Sequence, residues 1–260
     1  TGTQGVDWFD CGNWKNLKIP EGGDNVIATG ALTNHITVDD GIITIPEAEC
    51  NNLTIAADAT VGGSALILRV NNAGSVLNVY GAFTNNKTLE HTNGQIHYKG
   101  NFVNNSTYTH NTAGTAIIDG TVSQTLTGAN TFLNLEMNNN STGLTLNNDI
   151  TINNSLTLTD GIITTGTNKV LVENNATGAI SGQSTDSYIN GTLRRKVAAA
   201  GSYDFPVGTS TNYEIANINL VTSTITYIDA GFTNPHSGTT MSGLSVDGTP
   251  LTDLLDYGFW

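Results

Sequence analysis

Basic side chains are scarce in this chain: nine lysines and arginines stand against twenty-two aspartates and glutamates. A formal net charge of −13 leaves nothing from which to build the cationic track that a phosphate backbone requires, which excludes nucleic acid as a partner. The tight basic cluster Arg194, Arg195 and Lys196 reads as a solvated strand face or a contact to an acidic neighbouring surface. Long apolar runs are missing too, so no segment of this chain is expected to insert in a membrane. The chain opens at Thr1 with no basic n-region or apolar h-region, and it reads as a processed or excised mature segment. Cysteine is limited to Cys11 and Cys50, which allow one intramolecular pairing and form no Cys-x-x-Cys element. A disulfide between them is expected to tie an N-terminal cap to the first coils. Closing such a loop stabilises by something on the order of 3 to 4 kcal/mol in the chain-entropy account, and the pairing points to an extracellular compartment.

Charged residues make up 12% of the chain and hydrophobic ones 38%, and Asn, Thr, Gly and Ser fill the remainder. Disorder would bring fewer β-branched residues and a higher charge density. Here short alternating pieces such as LTI, VLNVYG, IHYKG, LTLNN, LTLTDGIIT and KVLVENN are separated by Asn pairs, among them Asn51-Asn52, Asn85-Asn86, Asn104-Asn105 and Asn153-Asn154. Gly, Asn and Asp tolerate the positive φ that tight turns demand. Strands of three to six residues cannot stand alone, yet stacking at about 4.8 Å per rung lets each apolar stripe be covered by the next. The expected fold class is therefore all-β: a right-handed parallel β-helix with an N-terminal cap and a C-terminal β-sandwich-like segment.

Three regions follow from composition. Residues 1–35 concentrate Trp8, Phe9 and Trp14 and read as a cap covering the open end of the stack. Residues 36–190 read as the parallel β-helix, about seven or eight rungs if a rung takes roughly twenty residues. Within it Asp40-Gly41-Ile42-Ile43-Thr44 returns as Asp160-Gly161-Ile162-Ile163-Thr164, which marks comparable turns in distant coils. Residues 191–260 change texture, with longer alternating segments at 215–221 and 224–228 that suit antiparallel strands. Pro206 belongs near an edge or bulge there, because it lacks a ladder donor. The apolar end at Trp260 reads as a boundary inside a larger protein or as a strand used in assembly.

The ordered set of Trp14, Pro20, Asp24-Asn25-Val26, Asn52-Leu53-Thr54-Ile55, Phe132-Leu133-Asn134-Leu135, Leu156 to Ile162 and Tyr203-Asp204-Phe205-Pro206-Val207-Gly208 resembles large surface proteins of gliding or surface-attached Bacteroidota. That resemblance covers most of the chain. It implies export by the type IX secretion system, an extracellular or cell-surface location, and a role as a structural or adhesive module among other domains of the same protein. Extended glycans or a protein partner are the ligands it leaves open. The C-terminal sorting domain usual for that route is not evident before Trp260.

Parallel β-helices also include polysaccharide lyases and hydrolases, so carboxylates on adjacent rungs matter. Glycoside hydrolysis uses two of them across a scissile bond. Asp39, Asp40, Glu47, Glu49, Asp58, Glu90, Asp119, Glu136, Asp149 and Asp160 have the right chemistry, and no sequence context assigns any of them as acid or base. A lyase adds a cation to stabilise an enolate, for which Arg69, Lys87, Lys99 and Lys169 lie scattered. His91 and His97 share strand parity, but Gly94 places a turn between them, and with His110 they read as surface or rung packing. Asp-rich turns offer oxygen to calcium as an accessory ion, without an EF-hand loop or a Gly-Gly-x-Gly-x-Asp repeat. The expectation is a non-enzymatic module, with no catalytic, metal or cofactor residues. A carbohydrate-active module that binds or cleaves an extracellular polysaccharide is the alternative. Irregular spacing between Thr-rich strands weighs against an ice-binding face.

Overall fold

The computed structural model describes residues 7–10, 13–16, 18–38, 47–141, 143–222, 224–232, 245–246 and 249–250. Short strands follow one another along the chain and most of them pair in parallel, giving a right-handed parallel β-solenoid. The register sorts them into three stacks, or faces, that surround one core. The first face begins with Val26–Ala28 on Leu53–Ile55, followed by Phe83–Asn85, Phe102–Asn104, Gln124–Thr127 and Leu144–Leu146. It continues through the starts of Ile163–Val172 and Ile189–Lys196. The second face stacks Ile36–Val38, Ile67–Val70, Thr88–His91 and Thr107–His110. Later coils carry it on through Asn130–Phe132, Ile150–Ile152, Val170–Val172 and Leu193–Arg195. The third face runs from Ala48–Cys50 through Val76–Val79, Gln95–Tyr98 and Thr115–Ile118. It then takes the second halves of Asn130–Asn138 and Ile150–Asp160, and Ile180–Ser181.

Period-two alternation explains which residues enter the core. In Leu53-Thr54-Ile55 the outer two are buried and the threonine faces out, and Phe83-Thr84-Asn85 and Leu144-Thr145-Leu146 repeat the pattern. Stacked turns superpose the apolar residues into one continuous core from Trp8 to Phe232. Phe83, Tyr98 and Phe102 fill its middle, with ring centroids 4.7 to 6.0 Å apart. Mid-solenoid turns take nineteen or twenty residues, as the separations of Asn85 from Asn104 and of Asn154 from Asn174 record. Early turns are longer, with Tyr80 reaching Glu49 thirty-one residues away.

The Asn turns do the polar bookkeeping of the corners. Asn85 Nδ2 donates to Asn104 Oδ1 at 2.8 Å inside the wall, and Asn105 Nδ2 donates to Asn86 Oδ1 at 2.8 Å outside it. On later coils Asn154 donates to Asn134 at 2.6 Å, and Asn174 to Asn154 at 3.3 Å. Amides suit this role because each side chain both donates and accepts, so one residue links two rungs. Glycine is required where a corner brings backbones together. A Cβ on Gly128, at φ +96°, would lie 1.9 Å from the Asn104 carbonyl oxygen. Gly161, at φ +90°, is equally close to Asn139, while its sequence echo at Asp40-Gly41 lies outside the described residues.

Both ends of the described core are closed. Trp8 is fully buried, its backbone N–H donates to the Thr37 carbonyl at 2.8 Å, and the Trp14 indole packs edge-on at 4.9 Å. At the other end Gly201–Gly208 and Tyr213–Leu220 form an antiparallel pair that joins the last turn through Val207 and Gly208. Pro206 stands just before that parallel contact begins. Tyr227–Ala230 lies antiparallel against Leu193–Lys196, completing a sandwich-like extra sheet.

The basic cluster needs a correction. Arg194 and Lys196 do face out, Arg194 Nη2 meeting Asp229 at 2.7 Å and Lys196 lying 3.8 Å from Glu173. Arg195 points inward and is fully buried. It shares the parity of Leu193, and its guanidinium donates to the carbonyls of Asp204, Ala176 and Thr177 while resting 5.2 Å from the Tyr203 ring centre. Carbonyl dipoles and an aromatic face take the place of a carboxylate partner. Among the described residues no helix is long and apolar enough to cross a membrane.

Candidate functional site

The densest chemistry on the solenoid surface gathers on the third face. Ile96 and Tyr98 turn into the core, so His97 between them turns out, and the register sets it between Asn78 and Ile117 on the adjacent rungs. One position past each strand come Tyr80, Lys99 and Asp119, each followed by a corner glycine, Gly81, Gly100 and Gly120. Lys99 N–H donates to the Val79 carbonyl and Asp119 N–H to the Tyr98 carbonyl, which holds the three side chains one above another.

Asp119 is the hub of the cluster. Its Oδ2 accepts from Lys99 Nζ at 2.7 Å and from His97 Nδ1 at 2.8 Å, while its Oδ1 is buried without a partner. Burial alone would raise its pKa, but the hydrogen bonds from His97 and Lys99 outweigh that effect and hold the carboxyl below its ordinary value. All three side chains are at least three-quarters covered. Lys99 Nζ also lies 5.7 Å from the Tyr80 ring centre. The Tyr80 hydroxyl donates to Glu49 at 3.3 Å, and burial together with the Glu49 charge raises the phenol's pKa. Beside it Asn78 Nδ2 donates to Glu47 at 2.6 Å.

Chemically this arrangement offers an imidazole oriented by a carboxylate, with Nδ1–H committed to Asp119 and Nε2 turned outward near Gln95 at 3.4 Å. The atom facing Nε2 is the Gln95 side-chain oxygen, so both ring nitrogens lie against acceptors and the ring is oriented without presenting a free lone pair. The cation beside it is already compensated by Asp119. Counting Glu47, Glu49 and Asp119 against Lys99, the patch carries a net negative charge, which repels a uronate and leaves no free positive charge for an enolate. Carboxylates and an amide that accept from hydroxyls, next to a tyrosine ring, suit a neutral sugar better.

The other residues singled out in the sequence go elsewhere. His91 and His110 leave the surface altogether: they stack ring on ring inside the second face at 4.2 Å, both buried. Of the two readings the sequence left open, surface or rung packing, His91 and His110 take rung packing, and His97 takes the surface. The Tyr108 hydroxyl lies 3.3 Å from His91 Nδ1 and 3.2 Å from His110 Nδ1, and Tyr98 donates to it at 3.4 Å. Burial pushes the His91 pKa down to about 3 and that of His110 down to about 4. Both rings are therefore neutral at pH 7.

Glu90 pairs with Arg69 at 2.8 Å, Asp58 accepts from Thr29, Glu136 accepts from Thr159, and Asp149 accepts the Lys169 backbone N–H. Lys169 itself lies 3.8 Å from Asp229. Asp160 sits with Asp186 beside a hollow at the far corner. Asp39 and Asp40 fall outside the described residues, as does Cys11, so the pairing expected for Cys50 rests on a residue not described. Cys50 is buried, and as a thiol its pKa is pushed up to about 12 by burial and by Glu49. No group of three or more His, Cys, Asp or Glu suited to a metal occurs among the described residues.

Sequence reasoning weighed Asp119 and Lys99 singly and passed over Tyr80. The available signal was the recurring residue-plus-glycine ending of VLNVYG, IHYKG and AIIDG. Comparison with family models, with curated proteins and with solved structures gives no match, so the reading of this surface rests on its own geometry.

Proposed function

We propose that this chain is an extracellular structural or adhesive module of a larger bacterial surface protein, of the kind its motifs resemble. The observation that carries this reading is the solenoid: one core continuous along successive coils, with largely polar outward rows stacked in parallel register. A body of this kind holds neighbouring domains apart, and its repeated rows add many weak contacts into useful avidity. The extracellular assignment further rests on the type IX-like motif order. It includes the Cys11–Cys50 disulfide as part of the proposal, and partners are then other domains of the same protein and surface glycans or proteins.

The test is adhesion by the isolated chain. Beads carrying residues 1–260 are washed over polysaccharide-coated and protein-coated surfaces, with and without calcium. Saturable retention that soluble 1–260 blocks supports adhesion, whereas a folded sample held by no surface narrows the role to a spacer.

A second reading, a carbohydrate-active module, is favoured by one observation, the Asp119-oriented His97 beside Tyr80 and Glu49. New reducing or unsaturated ends in a polysaccharide, lost in His97→Ala, would establish it and overturn the non-enzymatic reading.

A further inference from the structure

Charge is distributed unevenly around the solenoid. The second face carries Arg69, Glu90, Lys169 and Arg194, and the third carries Glu49, His97, Lys99, Asp119 and Glu136. The outward positions of the first face form two register rows. One is Ile27, Thr54, Thr84, Val103 and Thr127. The other is Thr125, Thr145, Thr164 and Asn190. Neither row contains an ionisable side chain, in a protein with twenty-two carboxylates to place. Ile27 and Thr145 are exposed and the other seven are half-buried.

Sequence spacing hides this regularity, because the turns absorb the differences in coil length. Parallel stacking brings the threonines into file at a rise of about 4.8 Å. Each hydroxyl both donates and accepts, and each methyl offers a small apolar contact. At the start of the first row Ile27 is 64% exposed and opens, with Asn25, into a hollow of about 530 Å³ walled by Trp14 and Pro20. The Trp14 ring is fixed there, since its Nε1–H donates to the Trp8 carbonyl at 2.8 Å. Of the charges lining the hollow, Lys18 lies 3.3 Å from Asp24 and 3.0 Å from Glu21, while Lys15 and Asp7 also line it.

From this placement we infer that the first face is a binding track for an uncharged polysaccharide, its chain lying along the threonine rows with a sugar ring against Trp14 and Ile27. The inference rests on the adhesive reading and names its ligand class. An anionic polymer meets no counter-charge along the two rows. A protein partner wants buried aromatic or arginine anchors that the rows do not supply. Ice would match the flat threonine rows but not the asparagine and the walled hollow that adjoin them. A neutral linear glycan matches both, with hydroxyls for the rows and a C–H face for the indole.

The test is native affinity electrophoresis of the whole chain in mixed-linkage β-glucan, xylan, dextran and polygalacturonate. Retardation by at least one neutral polymer is expected. Placing cations on the track, in Thr84→Lys/Thr145→Lys and in Thr145→Lys alone, should weaken it, the double variant by about tenfold or more. The same change on the second face, Thr109→Lys/Thr151→Lys, should leave it unchanged. Circular dichroism checks that each variant is folded.

Binding that survives the first-face lysines, or that is lost in Lys99→Ala instead, overturns the track and leaves adhesion standing. Retardation by polygalacturonate alone, or by no polymer while the bead assay still shows retention, overturns the inference in the same way. Inhibition of ice growth without glycan binding would assign the face to ice. Loss of both glycan binding and bead retention removes the adhesive reading as well.

Discussion

Two imidazoles stacked in a core are an unusual pair to bury, and their cost depends on pH. His91 and His110 have folded pKa values of about 3 and about 4, well below the ordinary value of 6.5. The unfolded chain therefore binds more protons than the folded one between those limits. The stability they contribute is fully present above pH 6.5 and is lost as the pH falls through about 4 and then about 3. At 1.36 kcal/mol per unit, the two together represent several kcal/mol in order of magnitude. Urea midpoints measured from pH 7 down to pH 4 should fall in the parent chain. The fall should be shallower in His91→Gln/His110→Gln, even though that variant starts from a lower stability at pH 7. An equal slope in both would mean that carboxylates, not these rings, set the acid limit. The pairing was not legible in the sequence, since nothing in a single strand says that residues nineteen apart lie face to face. Arg195 was more accessible to reading, because Leu193 fixes its parity.

At the scale of strands and corners, the sequence spoke more clearly. Alternation in Leu53-Thr54-Ile55 and Leu144-Thr145-Leu146 defined inward and outward positions correctly, because a strand's period is a local property. The rung length near twenty residues was legible from the Asn turns, and it holds in the middle coils. What stayed hidden is register, which depends on how much chain each corner consumes. For that reason Tyr80, Lys99 and Asp119 looked scattered, and the threonines of the first face looked irregular. Corner glycines are where register is enforced. Gly128→Ala, with φ +96° and the Asn104 oxygen in the way, should cost at least about 3 kcal/mol. Gly166→Ala, at φ +59° with nothing within 4 Å, should cost about 1–2 kcal/mol from backbone strain alone. Thermal melts of the two variants side by side measure the difference, and equal losses would show that the corner relaxes freely.

For the whole molecule, the core is quasi-one-dimensional: each coil touches its neighbours and little else. End residues then matter locally. Trp8→Ala removes the largest fully buried side chain at the N-terminal end, a change of about 3–5 kcal/mol by its size. Hydrogen exchange should rise in the coils nearest Val26 and Leu53, and stay near its original level around Leu156 and Val170. A uniform rise along the whole chain would instead mean that the solenoid unfolds as one unit.

The parallel register has a mechanical consequence. Hydrogen bonds between rungs point along the axis of the stack, so tension applied between its first and last coils loads them end to end rather than side by side. Such a body yields by unwinding from one end, a coil at a time. A coil of about twenty residues that contributed about 4.8 Å of height while folded reaches roughly 70 Å once pulled straight. The Asn amides that bridge successive turns are the stitches that must part at each step.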